Sequence, residues 1–193
     1  MTGNDSTFLR LASWAEGALP DLDAVLKELG HGDSRCFGTT FGRGECTLEV
    51  FLRQCRDAED PARIAAEFVP QTSYWIVNEA NRVVGIVRVR HRLNERLLRS
   101  GGHIGYYVRA SERGKGYGKQ TLRLALQELR RLGVRRALLT VHSSNTISAR
   151  LVVANGGLLE NQTTDPVSGE ALDRYWIDLK KALLRHLYIS FAD

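Results

Sequence analysis

Residues 113–121, Arg-Gly-Lys-Gly-Tyr-Gly-Lys-Gln-Thr, set three glycines and three cations within nine positions. Glycine lets backbone N–H groups come close to an anion and tolerates positive φ, while Arg113, Lys115 and Lys119 can add charge-assisted hydrogen bonds. The stretch therefore has the composition of a phosphate cradle. Two known cradles fail on spacing. A P-loop needs a glycine five residues ahead of its Gly-Lys pair and a hydroxyl residue after the lysine, but Arg113 and Gln120 occupy those places. The dinucleotide fingerprint Gly-x-Gly-x-x-Gly fails as well, because Gly118 follows Gly116 one residue too early. A solvated, glycine-rich turn is the alternative for the stretch taken alone.

The elements around the loop give it a purpose. His103 to Val108 reads as a strand, and Leu122, Ala125, Leu126, Leu129 and Leu132 mark an amphipathic helix that ends at Gly133. A strand, a glycine loop and a helix in succession put the loop at a helix N-terminus, where unpaired N–H groups and the dipole favour an anion. Upstream, Tyr74 to Asn78 and Val83 to Arg90 read as two strands joined by a turn near 78–82. Strict alternation along the second would put Val83, Gly85, Val87 and Val89 on one face and Val84, Ile86, Arg88 and Arg90 on the other. Downstream come a strand at Val134 to His142, a helix at Ser144 to Asn155, and an antiparallel pair at Leu158 to Thr163 and Leu172 to Leu179. Before residue 73 the spacing predicts a helix over Asp21 to Leu29, an irregular loop with five glycines over Gly30 to Gly44, and a helix N-capped by Thr47. A short helix is expected after Pro61, through Ile64, Ala65 and Phe68. The tail from Lys180 reads as weakly helical.

Composition narrows the class. The 193 residues are 43% hydrophobic and 25% charged, as expected for one globular domain rather than a disordered chain. Cys36, Cys46 and Cys55 match neither a metal or redox pair nor a disulfide framework, so free thiols, no metal site and a cytoplasmic address are expected. Neither a secretory leader nor a membrane span is legible. The net charge of +5 is unevenly spread, with −5 over residues 1–87 and +10 over 88–193. Fourteen of the 27 basic residues lie between Arg88 and Arg136. That concentration favours a compact polyanion at the loop, and the absence of interleaved aromatics or zinc spacing counts against a nucleic-acid partner.

Residues 108–118, Val-Arg-Ala-Ser-Glu-Arg-Gly-Lys-Gly-Tyr-Gly, resemble the signature of the GCN5-related N-acetyltransferase (GNAT) family. Arg113, Gly116 and Gly118 fill the core Arg/Gln-x-x-Gly-x-Gly/Ala, and Val108 and Arg113 fit the preceding Val-x-Pro-x-x-Arg with Ala110 in place of proline. His103-Ile104-Gly105-Tyr106 is similar to the Glu-Ile-Gly-Tyr strand of the branch that acetylates ribosomal proteins. The resemblance runs from about Ser73 to Leu179 and implies an α/β (α+β) three-layer fold. In it a mixed, mostly antiparallel central sheet is flanked by helices, and a splayed strand pair binds CoA. One domain over 1–193 is expected, with a helical acceptor-side segment (1–72), an acetyl-CoA-binding core (73–179) and a tail (180–193).

The resemblance further implies acetyl-CoA as cosubstrate. Its pyrophosphate would rest on the backbone amides of Arg113, Gly114, Lys115, Gly116, Tyr117, Gly118 and Lys119, and its pantetheine on backbone groups of Tyr107, Val108 and Arg109. Asn145 stands where the family often has an asparagine near the cofactor, and also reads as an N-cap for the helix that follows. His103 takes the place of the related branch's glutamate as general base, or is a histidine hydrogen-bonded at a strand start. The family's acid, a tyrosine, is replaced by Val152, which leaves Tyr106, Tyr107 or water to protonate the thiolate. His91, Asn94 and Glu95 are candidates for the acceptor side; Arg88, Arg90, Arg92, Arg96 and Arg99 belong there or form a solvated face. The expected activity is acetyl transfer to a primary amine of a small molecule or protein, cationic on the charge argument, with a homodimer left open. A CoA-binding regulatory module without turnover is the alternative.

Overall fold

The computed structural model of the protein describes residues 9–33 and 36–180, the side chains of 33, 36 and 37 excepted. Its centre is the antiparallel pair β4 (Gln71–Asn78) and β5 (Val83–Arg90), joined through a turn in which Asn81 takes φ 56°. Asparagine tolerates that left-handed conformation, and the Asn78 side chain accepts from the Arg82 N–H across the turn. Strand β1 (Leu9–Ser13) pairs with the far edge of β4, and β6 (Ile104–Val108) with β5, giving the order β1-β4-β5-β6. A second antiparallel sheet has the order β7-β9-β8, from β7 (Arg136–His142), β8 (Leu158–Thr164) and β9 (Ala171–Asp178). Two short strands, β2 (Gly32–Asp33) and β3 (Cys36–Phe37), pair antiparallel within the glycine-rich loop.

Helices cover both faces of the first sheet, which is why its strands are apolar on both sides. On one face α1 (Leu22–Leu29) and α2 (Leu48–Asp57) bury Leu22, Val25, Leu26, Phe51 and Cys55 against Trp75, Val77, Val83 and Ile86. Thr47 caps α2, its Oγ1 accepting from the Val50 N–H at 3.3 Å. On the other face α4 (Tyr117–Arg131) buries Leu122, Ala125, Leu126 and Leu129 against Ile76, Val87, Ile104 and Val108. Val152 of α5 (Thr146–Ala154) joins that core.

Several expectations are corrected. Residues 1–72 are not purely helical, since β1 arises from them and pairs with β4 over Leu9 to Ser13. The stretch 61–69 forms turns rather than a helix. Ile64 is only half-buried, and Phe68 stays 53% exposed, so a helical stripe there would have no surface to cover. The helix α3 (Glu95–Arg99), capped by Asn94 and anchored by buried Leu97, was not expected. Strict alternation along β5 also fails: Ile76 opposes Gly85 but Val77 opposes Val83, so Val84 is an extra residue. This bulge turns Val84 to the α4 face with Val87 and Val89, leaving Val83 with Ile86 on the other. A Cβ on Gly85 would lie 2.2 Å from the Tyr107 carbonyl oxygen, so only glycine lets β6 approach the bulge. The tail from 181 and the Cys36 thiol lie outside the described residues.

Candidate active site

Strands β6 and β7 are each the edge of their own sheet, and the sheets meet at His103 and Leu138. The His103 N–H donates to the Leu138 carbonyl at 2.8 Å, and the Leu138 N–H donates to His103 Nδ1 at 2.9 Å. Over Ile104 to Val108, β6 has a ladder with β5 alone. The phase of that ladder is set at its two ends, where Arg90 N–H donates to His103 and Arg109 N–H to Val84. The His103 carbonyl, the backbone groups of residues 105 and 107 and the Arg109 N–H therefore turn to β5, while those of Ile104, Tyr106 and Val108 turn to the gap. Of the candidates Tyr107, Val108 and Arg109, only Val108 has its main chain on the open side, with Tyr106 beside it. Val108 is partly satisfied already, because Arg113 Nε donates to its carbonyl at 3.1 Å.

The glycine loop leads directly into α4. Gly114 and Gly116 have φ of 79° and 78°, in the left-handed region that disfavours other residues. Gly116 is the N-cap, without a side-chain cap, and the first turn of α4 holds no acidic residue. The opening N–H groups of α4 are thus free of a capping side chain, at the positive end of the dipole. This concavity of backbone donors fits a pyrophosphate. Lys115 Nζ is held by Glu112 at 2.9 Å and Lys119 is exposed. The Tyr117 side chain is buried in the core, and a Cβ on Gly118 would lie 2.9 Å from Leu151 Cδ1, so what these two residues can offer a phosphate is their backbone N–H groups. Gly118 thus serves the close approach of α4 to α5.

The hydroxyl of Tyr106 reaches α5, 3.1 Å from Ser148 Oγ. Burial raises the Tyr106 pKa, and the Ser148 contact offsets part of that. Ser148 stands one turn before Val152, so Tyr106 brings a phenol to the helix that lacks the family's tyrosine, while Val152 itself is fully buried. Asn145 caps α5, its Oδ1 accepting from the Ser148 N–H at 3.1 Å.

His103 does not have the geometry of a base. Its Nδ1 lone pair is taken by the Leu138 N–H, so the neutral ring carries its proton on Nε2 and presents only a donor there. Burial pushes its pKa down to about 4. The ring is a strut between the two sheets. The arginines of β5 are not a solvated face either. Arg90 NH1 donates to the carbonyls of Gly101 and Gly102 at 2.8 and 2.9 Å, and burial lowers its pKa to about 9 and that of Arg88 to about 10. Arg92, Arg96 and Arg99 are exposed as expected of a solvated run. Asn94 serves structure, capping α3 and donating to the Glu67 carbonyl, and His91 Nε2 bonds Thr72 Oγ1 at 2.9 Å. Cys55 is buried with its thiol pushed up to about 12, and so carries no thiolate. Among the described residues no cluster of histidine, cysteine and carboxylate could hold a metal, and no helix is long and apolar enough to cross a membrane.

A sequence model described as the acetyltransferase (GNAT) family matches residues 41–156, more than half of the chain. The chain belongs to this family. It is an N-acetyltransferase, with acetyl-CoA as its cosubstrate. Its fold is similar to that of the spermidine/spermine N-acetyltransferase SpeG from Vibrio cholerae, with TM-score 0.64 and 15% identity over 95% of this chain and 99% of the other. YncA from Salmonella typhimurium, solved with acetyl-CoA, aligns with TM-score 0.61 and 18% identity over 90% of this chain and 94% of that one. A dodecameric spermidine N-acetyltransferase from Vibrio cholerae gives TM-score 0.62 and 16% identity, over 94% and 99%. At such identities the likeness is one of fold. No curated protein sequence matches the chain.

One site residue escaped the sequence reading. Glu28, on the last turn of α1, accepts from Tyr107 OH at 2.8 Å, from the Ala110 N–H at 2.7 Å and from Arg109 Nε at 3.2 Å. Burial would raise its pKa, but these three donors outweigh burial and hold the carboxyl below its ordinary range. An acidic residue on the outer side of a helix carries no local signal of partners 79, 81 and 82 positions away.

Proposed function

We propose that the chain, acting as one domain, transfers the acetyl group of acetyl-CoA directly to a primary amine of a small molecule or protein. The observation that carries this reading is the open edge of β6 ending in a glycine loop at the uncapped N-terminus of α4. Acetyl-CoA supplies an activated thioester; the amine loses its ammonium proton to solvent and attacks with no enzyme nucleophile, the new C–N bond replacing the C–S bond as CoA leaves as a thiolate and the second amine proton passes to solvent. The gap-facing backbone groups of Tyr106 and Val108 would pair with the pantetheine as an added strand does. Residues Arg113 to Lys119 would hold the pyrophosphate, through backbone N–H groups and the exposed charges of Arg113, Lys115 and Lys119. Asn145 is retained as a neighbour of the cosubstrate by resemblance.

Tyr106 is the proposed general acid. A phenol is protonated at neutral pH, burial moves this one further in that direction, and Ser148 Oγ lies 3.1 Å from its oxygen. His103 is assigned a positioning role, holding β6 against β7 where the two sheets diverge. The acceptor is read as an amine that is cationic at rest, in keeping with the −5 charge of residues 1–87 and the likeness to spermidine acetyltransferases. Much of that charge is paired on the exterior, as in Asp57 with Arg63 and Glu45 with Arg43. Arg88 and Arg90 on β5 also oppose a polycation along their face, which favours a single ammonium over a polyamine chain. A homo-oligomer accompanies this reading by likeness alone.

Thiol release from acetyl-CoA over a panel of monoamines, polyamines and peptide N-termini tests the reading. Release with one monoamine class is expected. Binding of CoA with no release for any amine would contradict it.

A further inference from the structure

We infer that Glu28 is a positioning residue for the pyrophosphate loop, tying the start of that loop to helix α1. The inference rests on the reading of residues 113–119 as the CoA pyrophosphate site. Helix α1 is a fixed point, because Leu22, Val25, Leu26 and Leu29 are all buried against the first sheet. From its last turn Glu28 reaches three donors within residues 107–110. The Ala110 N–H opens the 3₁₀ turn Ala110–Glu112, whose N-cap Arg109 provides no side-chain cap. Glu28 Oε1 supplies that cap from across the fold, at 2.7 Å.

The same carboxylate holds the loop a second way. Tyr107 OH is bonded to Glu28, and the guanidinium of Arg113, the first residue of the loop, lies over the Tyr107 ring at 5.6 Å from its centroid. Arg113 is also fixed by its bond to the Val108 carbonyl. Glu28 therefore orders both the turn that enters the loop and the ring on which its first cation rests. A carboxylate this near a phosphate site would by itself repel the ligand. Its pairing with Arg109 at 3.2 Å screens that repulsion, so the gain from an ordered loop outweighs it.

The test compares acetyl-CoA with S-acetylpantetheine, which lacks the pyrophosphate, in wild type, Glu28→Ala and Glu28→Gln. Loss of a charge-assisted, multiply bonded anchor is expected to raise the KM for acetyl-CoA roughly tenfold in Glu28→Ala, with kcat within about twofold. The kcat/KM for S-acetylpantetheine should not move. Glu28→Gln, which keeps an acceptor for Ala110 and Tyr107, should restore KM to within about threefold. An equal fall for both thioesters, or a fall in kcat alone, would overturn the inference, as would an unchanged KM. If Glu28→Ala fails to fold, Glu28→Gln combined with Tyr107→Phe replaces it, with the same selective loss expected. Calorimetry of CoA against the wild type separates the two failures: without binding the loop reading falls and this inference with it, whereas binding with indifferent variants removes only Glu28.

Discussion

The N–H of Leu138 donates to Nδ1 of His103 at 2.9 Å, across the only main-chain junction described between β7 and the strand entering β6. That bond uses the lone pair a general base would need. It fixes a neutral ring at the point where the two sheets part.

His103 should therefore appear in stability rather than in turnover. Its pKa falls from an ordinary 6.5 to about 4 on folding, so the unfolded chain binds the extra proton between those values. Stability from this group rises with pH across that window, by up to about 3 kcal/mol, and is lost as pH falls from 6.5 towards 4. In His103→Asn the side-chain oxygen can stand in for Nδ1 without titrating. Urea unfolding at pH 4.5 and 6.5 is expected to show a smaller pH difference in the variant, with kcat kept within a few fold. Equal pH differences, or a loss of kcat by orders of magnitude, would return His103 to the role of base.

Tyr106 should behave in the opposite way. Tyr106→Phe keeps the ring and its packing, so KM for acetyl-CoA should hold while kcat falls by roughly 10- to 100-fold, at the lower end of general-acid effects because a thiolate leaves readily. Ser148→Ala, which removes only the partner at 3.1 Å, should cost less. Steady-state kinetics decide the matter, and an unchanged kcat in Tyr106→Phe would leave water as the proton source.

The sequence carried the cofactor side of this site better than the rest. Gly114 and Gly116 announce a backbone that must turn left-handed at a helix start, and the apolar stripe from Leu122 to Leu129 defines α4, because both signals are local. What stayed hidden depends on partners distant in the chain. The bulge at Val84 reverses the facing of β5 through its pairing with β4, and no residue type marks it. Strand β1 buries Leu9 and Ala12, a spacing of three that matches no strand period. Arg88 and Arg90 look like solvated charges until the fold covers them, and the His103 lone pair is claimed by a residue 35 positions away. Glu28 belongs with these, being an ordinary helix-surface carboxylate until β6 is laid beside it.

The central claim, that residues 113–119 at the head of α4 hold the pyrophosphate of CoA, is tested most directly by calorimetric titration of CoA into the wild type and Gly116→Glu. Gly116 sits at φ 78°, so a glutamate there is strained and adds a like charge where the phosphate would lie. We expect saturable binding to the wild type and a loss of at least about tenfold in the variant, with the fold intact by circular dichroism. Equal affinity in the two proteins would place CoA elsewhere, and no binding to the wild type would contradict the account of this loop.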